Sequence, residues 1–129
     1  MKSNLNKINK IAKDVYRSLG SGFSEDVYDK AMQVGLRLAK VKYENQKVVE
    51  VKYKNYSVGE GYPDLIIHFP NEIIAVELKA VSGDMGDAEE RQLKNYMKIL
   101  KIRAGLLINF PQPGRKENKT KLYLKEINI

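Results

Sequence analysis

Cysteine is absent from these 129 residues. That excludes a disulfide framework, a cysteine nucleophile, a thiolate zinc site and an iron–sulfur cluster. Histidine is scarce: His68 is the only one, and a lone histidine near an apolar turn is read as a packing residue, not a catalyst. No stretch approaches the roughly 18 apolar residues that would span a membrane. The basic N-terminus, Met1 to Gly20, spaces its apolar residues instead of massing them, so it lacks the form of a signal peptide. Repeats, low-complexity segments and linkers are missing too. A length of 129 residues with 43% apolar composition implies one folded domain over residues 1–129. A soluble, intracellular (cytoplasmic) protein is expected.

Acid is scarce in one region. Between Lys94 and Lys125 nine Lys and Arg residues face a single acid, Glu117, while Asp84, Asp87, Glu89 and Glu90 form an opposite pole just before. The net charge is +7. A basic face suits a polyanion such as nucleic acid, and a lysine-rich solubilising surface accounts for the same charge equally well.

Periodicity supplies the elements. Leu5, Ile8, Ile11, Ala12, Val15, Tyr16 and Leu19 recur at helical spacing, and Gly20-Ser21-Gly22 ends that helix. Ser24 can cap a second helix with the stripe Val27, Ala31, Val34 and Leu38. From Tyr43 to Tyr53 β-branched and aromatic residues alternate with polar ones, as in one half-exposed strand, and Lys54-Asn55 turns into a short strand near Tyr56 to Val58. Two more strands meet at Pro70-Asn71. A helix follows Gly86 to about Lys101, supported by the spacings Asp87–Arg91 and Glu90–Lys94. "AGLLINF" has the length and apolarity of a strand buried on both faces, "PQPGRKENK" reads as a polar loop, and "TKLYLKEINI" alternates like a last strand. A helix between two buried strands implies a parallel crossover, hence an α/β fold with a mixed central sheet flanked by helices and an N-terminal helical pair.

The segment "GYPDLIIHFPNEIIAVELKA" is odd, because it places Asp64, Glu77 and Lys79 inside the most hydrophobic part of the chain. A symmetric turn at Pro70-Asn71 sets Asp64 directly opposite Glu77, about 5 Å apart between Cβ atoms, with Lys79 on the same face. Two ionised carboxylates at that spacing repel by roughly 3 kcal/mol at an effective dielectric of about 20. A shared proton, nearby cations or a divalent metal would relieve this. Oxygen ligands of this kind suit Mg²⁺ or Mn²⁺, and a structural ion pair at a strand end is the plainer alternative.

Pro63-Asp64 followed after twelve residues by Glu77-Leu78-Lys79 resembles the PD-(D/E)XK nuclease superfamily, whose restriction-endonuclease-like core matches the element order above. "GFSEDVYDKA", with Gly22, Glu25 and Tyr28, resembles the small GxxExxY-type family within it, and the resemblance runs from about Gly20 to Phe110. One departure is visible: Glu89 stands where that family often has a histidine. The resemblance implies that Asp64 and Glu77 hold the metal with the Leu78 carbonyl. Glu25 would complete the acidic cluster directly or through a water, and Lys79 would orient or activate the attacking water. Gln92 and Tyr96 match the QxxxY element of RecB-like nucleases, which supports the site and contacts DNA. Tyr28, Lys94 and Lys98 are counted with that supporting, nucleic-acid-binding set. Each has a structural alternative: an acid in the first helical turn is favoured by the helix dipole anyway, and Tyr96 lies at core spacing from Leu93 and Leu100.

A divalent-metal-dependent DNA nuclease is therefore expected, structure-selective or exonucleolytic. Archaeal Holliday-junction resolvases are similar in size, charge and motif order, which implies a homodimer. The alternative is a catalytically silent nucleic-acid-binding or assembly module on the same fold.

Overall fold

The computed structural model describes residues 2–83, 86–113 and 123–128. Two helices come first, α1 (Lys2–Leu19) and α2 (Glu25–Leu38), followed by β1 (Lys42–Asn45), β2 (Val49–Tyr53), β3 (Tyr56–Gly61), β4 (Leu65–Phe69) and β5 (Glu72–Lys79). Helix α3 (Asp87–Leu100), β6 (Ala104–Asn109) and β7 (Tyr123–Asn128) complete the order. Five strands form one sheet in the order β1-β4-β5-β6-β7, and β2 pairs only with β3. Within the sheet β5 and β6 run parallel across α3, and the other pairs are antiparallel. This is the mixed sheet with an N-terminal helical pair that the element order implied.

Both sheet faces are covered. Ile8, Ala12 and Val15 of α1, with Met32 and Leu36 of α2, pack on Leu65, Ile67, Ile74, Val76, Leu78, Leu106 and Ile108. Leu93 and Met97 of α3 cover the other face, against Ile66, Ala75, Leu107 and Ile127. Successive residues of β4, β5 and β6 thus feed opposite layers, which is why these strands read as continuous apolar runs. Helix α1 stops at Gly20, whose φ of +69° and N–H bond to the Tyr16 carbonyl (2.8 Å) make a left-handed cap.

Four expectations are corrected. The single strand over Tyr43 to Tyr53 is two: Gln46 takes a positive φ of 52° and donates its N–H to the Asp64 carbonyl (3.1 Å), so β1 stays in the sheet while β2 leaves it. Helix α2 buries Tyr28, Asp29, Met32 and Leu36, whereas Val34 and Leu38 of the expected stripe are exposed, at 45% and 79%. The α1 contact at Ile11 decides this rotation, because Gly35 lies beneath that side chain. Ser24 does occupy the N-cap of α2, but with its carbonyl, which accepts from Val27 N–H, and with no side-chain bond to the helix. On α3 the Glu90–Lys94 pair forms at 3.3 Å; the Asp87–Arg91 pair is not formed among the described residues. Arg91 instead lines a groove beside β2. Residues 114–122, with Arg115, Lys116, Lys119 and Lys121 of the basic stretch and part of the expected polar loop, and Asp84 of the acidic pole lie outside the described residues.

Candidate active site

The β4–β5 hairpin has the register that its turn chemistry implied: Phe69 pairs with Glu72 across Pro70-Asn71, and Leu65 pairs with Val76 at the far end. The ladder stops there, one residue short of Asp64. Asp64 joins Glu77 in another way. Its N–H donates to Glu77 Oε1 (3.1 Å), and its own Oδ2 accepts from the Leu78 N–H (2.7 Å). Each carboxylate thus holds the other strand's backbone, with one oxygen of each carboxylate outside this exchange. Because β4 and β5 are antiparallel, the start of one meets the end of the other, and the charges collect at one rim of the sheet.

Burial dominates the electrostatics there. Glu77 is only 5% exposed. Desolvation first, then repulsion from Asp64, pushes its carboxyl up to about 8. Asp64, half-buried, is pushed up to about 6 by desolvation, helped by Glu25 and Asp29 and opposed by the Leu78 N–H and Lys79. Glu25 opens α2 and reaches the same rim: burial raises its carboxyl, Lys79 lowers it and Asp29 raises it. Lys79, at the end of β5, acts on Asp64, Glu77 and Glu25, yet among the described residues it is in direct ion pair with none. Its backbone is tied down: its carbonyl accepts from Phe110 N–H (2.8 Å), and the Asn109 side chain bonds both N–H and C=O of Val81.

Asp29 belongs to this cluster and was not anticipated. It is 7% exposed, held by Gln33 Nε2 (2.9 Å), and its carboxyl is raised by desolvation. Its spacing of four from Glu25 is the sequence signal for it, and it becomes legible only with the observed buried face of α2, which carries Tyr28, Asp29, Met32 and Leu36. Among the described residues, four carboxylates thus share a rim with one lysine. This oxygen-donor set, with too little positive charge of its own, fits a divalent cation. Among the described residues no three His, Asp or Glu side chains are gathered closely enough to hold a metal by themselves. A metal here would rest on Asp64 and Glu77, with Glu25 farther out.

Tyr96 comes to the site from α3. Desolvation first, then Glu77, raises its pKa, with Asp64 adding to this and the Tyr62 N–H and Lys79 opposing it. Gly61 makes this possible, since a Cβ there would land on the Tyr96 ring. Neither Gly61 nor Tyr62 is distinctive in the sequence. Gln92 and Lys98 line the groove that Tyr96 closes. Two other expected residues lie elsewhere. Tyr28 is fully buried, stacked on Phe110 at 4.6 Å between centroids, and its hydroxyl donates to the Gly20 carbonyl (2.6 Å). It touches no solvent; it clamps the start of α2, and Gln112 bridges it to Gly22. Lys94 is engaged by Glu90, which also holds Lys125 at 2.6 Å. His68 pairs with Glu44 (2.8 Å), and its ladder partner is Lys42, at the end of β4 away from Asp64.

The sequence model of the PD-(D/E)XK nuclease superfamily matches residues 2–122 of this chain. The chain belongs to the PD-(D/E)XK nuclease superfamily. The match stands at that level and does not single out the GxxExxY type. The crystal structure of SSO0001 superposes with a TM-score of 0.60 at 19% identity, covering 80% of this chain and 50% of that one. The likeness shows the fold, restriction-endonuclease-like, and the chain spans half the length of that protein. No curated protein matches the chain. Membership of this superfamily suggests a nuclease, and such nucleases typically use divalent metals. Among the described residues no helix is long and apolar enough to cross a membrane.

Proposed function

We propose that this PD-(D/E)XK protein hydrolyses phosphodiester bonds in DNA with Mg²⁺ or Mn²⁺, acting on branched structures or from ends. The observation that carries the reading is the crossed pair Asp64–Glu77, two carboxyls raised by burial beside Lys79 at one rim of the sheet. Asp64 and Glu77, with the Leu78 carbonyl, would hold the cation, and Glu25 would reach it through water. When bound, such a cation supplies Lewis-acid polarisation of a phosphoryl oxygen and offsets charge on the leaving oxygen.

The chain's own groups do the rest. Lys79, free of a direct ion pair among the described residues, orients the attacking water or stabilises the developing negative charge. The Asn109 and Phe110 bonds keep the Lys79 backbone from drifting, which matters where small displacements are costly in rate. Tyr96 and Gln92 support the substrate side of the rim. A four-way junction needs two cuts, so the junction version of this reading carries a homodimer with it.

Wild-type protein with Mg²⁺ or Mn²⁺ is expected to cut at least one of single-stranded, duplex, flapped and four-way DNA. Asp64→Ala and Lys79→Ala are each expected to lower the rate by roughly 10³-fold, on the scale of losing a charged transition-state contact. Unchanged cleavage in either variant means that the site is wrongly assigned. Binding without any cleavage by wild type makes the chain a nucleic-acid-binding or assembly module on the same fold.

A further inference from the structure

The β2–β3 hairpin stands outside the main sheet and rests against α3. Its two-residue turn, Lys54-Asn55, has both φ values positive, 48° and 68°, and pairs Tyr53 with Tyr56 at the tip. Alternation along β2 puts Val49, Val51 and Tyr53 on one face; the register shifts between Val51 and Lys52, where Val58 of β3 is bulged out, and beyond the bulge Tyr56 lies across from Tyr53. Along that face burial falls away: Val49 is 1% exposed, Val51 37% and Tyr53 63%, with Tyr56 at 76%. A cross-strand tyrosine pair beside a turn commonly stabilises a hairpin by contact between its rings. Among the described residues, however, no ring contact joins these two. The Lys54 ammonium sits 5.3 Å from the Tyr53 ring centroid, leaving both rings largely open to solvent.

Below the tip, a groove of about 700 Å³ runs between the hairpin and α3. Val51 and Ile99 give it an apolar strip, and Arg91, Gln92 and Lys98 give it polar reach. Neither Arg91 nor Lys98 is in an ion pair among the described residues. Among the described residues the one acid on its wall, Glu60, is held by the Tyr62 hydroxyl (2.8 Å). Tyr96 lines the groove, and its hydroxyl feels Glu77 and Asp64. The groove thus lies between Val51, two residues before Tyr53 on β2, and Tyr96, the side chain that senses the candidate active-site acids, with two cations on its wall.

We infer that the β2–β3 hairpin and the α3 groove grip an unpaired nucleic-acid strand, with bases stacked on Tyr53 and Tyr56 and phosphates on Lys54, Arg91 and Lys98. Paired bases in a duplex hide their π faces in the stack, whereas an unpaired strand presents them; rings beside cations are the chemistry that binds such strands without reading sequence. The inference rests on the nuclease reading for its direction toward Asp64 and Glu77, and it names the substrate feature: an unpaired segment at an end, flap or branch.

Fluorescence anisotropy without divalent cations tests the grip apart from cleavage. The probes are labelled oligo-dT, oligo-rU and a blunt DNA duplex. The double variant Tyr53→Ala, Tyr56→Ala is expected to bind the single strands about tenfold or more weakly and the duplex within about twofold of wild type. Tyr53→Phe with Tyr56→Phe should retain single-strand binding, since the rings remain. Lys98→Ala should weaken every probe and lower the slope of log affinity against log salt by about one. Loss on either oligo-dT or oligo-rU supports the inference. Equal loss on duplex and single strands, or no loss on any probe, overturns it. A wild type that grips single strands through these tyrosines but cuts nothing with Mg²⁺ or Mn²⁺ removes the nuclease reading and leaves the grip standing.

Discussion

Two hairpins of this protein share a plan and differ in surroundings. Both β2–β3 and β4–β5 are antiparallel pairs joined by two residues. In β4–β5 the ladder lies in mid-sheet between two helical layers, and Leu65, Ile66, Ile67, Ile74, Ala75 and Val76 are all essentially inaccessible. In β2–β3 only Val49 and Gly61 are buried, and the tip stands in water. Carboxylates behave accordingly. Glu77 and Asp64 are driven toward their neutral forms by burial, while Glu50 of β2 pairs with Lys52 at 3.4 Å on an exposed surface. The same residue type is driven toward its neutral form in one hairpin and stays a solvated charge in the other, because only low-dielectric surroundings make a charge expensive.

Deleting matched apolar groups is the strongest way to break this comparison. Ile67→Ala, at a fully buried site, is expected to cost about 2–5 kcal/mol in chemical denaturation, and Val58→Ala, 61% exposed, under about 0.5 kcal/mol. Similar losses at both positions would mean that the hairpins are not so unlike.

Next in size is a pH effect confined to β4–β5. The Glu77 carboxyl is raised from an ordinary 4.5 to about 8, so the folded protein keeps a proton that the unfolded chain gives up. Between those values stability falls as pH rises, and below about 4.5 the contribution no longer changes. Metal-free protein should therefore lose on the order of 3 kcal/mol from pH 5 to pH 8. In Glu77→Gln that slope should flatten, and Mg²⁺ added to wild type at pH 8 should raise Tm. A slope that survives Glu77→Gln would place its origin elsewhere.

Where the hairpins meet, Gly61→Ala pushes a methyl group into Tyr96. A cost of about 1–3 kcal/mol is expected, with slower cleavage in the same variant because Tyr96 is displaced from the rim. Thermal denaturation and a cleavage assay read the two effects separately. The smallest effect belongs to the exposed hairpin: Glu60→Gln should change stability by less than about 0.5 kcal/mol and leave the pH slope intact.

Local pattern was enough for α1, for the extents of α2 and α3, and for the β4–β5 register. A two-residue turn at Pro70-Asn71 and a period of two leave one pairing that buries both apolar runs, so Asp64 and Glu77 had to meet. The same reasoning could not say that Asp64 lies just beyond the ladder and bonds through its N–H and carboxylate instead of pairing as a strand residue. Nor could it divide Tyr43 to Tyr53 into two strands, since Gln46 turns only because the Asp64 carbonyl is there to accept its N–H. The buried face of α2 depended on where α1 crosses it at Gly35, and with that face came Asp29. Tyr96 reaches the acids because a glycine 35 positions earlier leaves room for its ring. Turn chemistry and alternation are carried by neighbouring residues, and the sequence alone determined what rests on them. Close approach, helix rotation and desolvation depend on residues distant along the chain, and only the tertiary structure decided those.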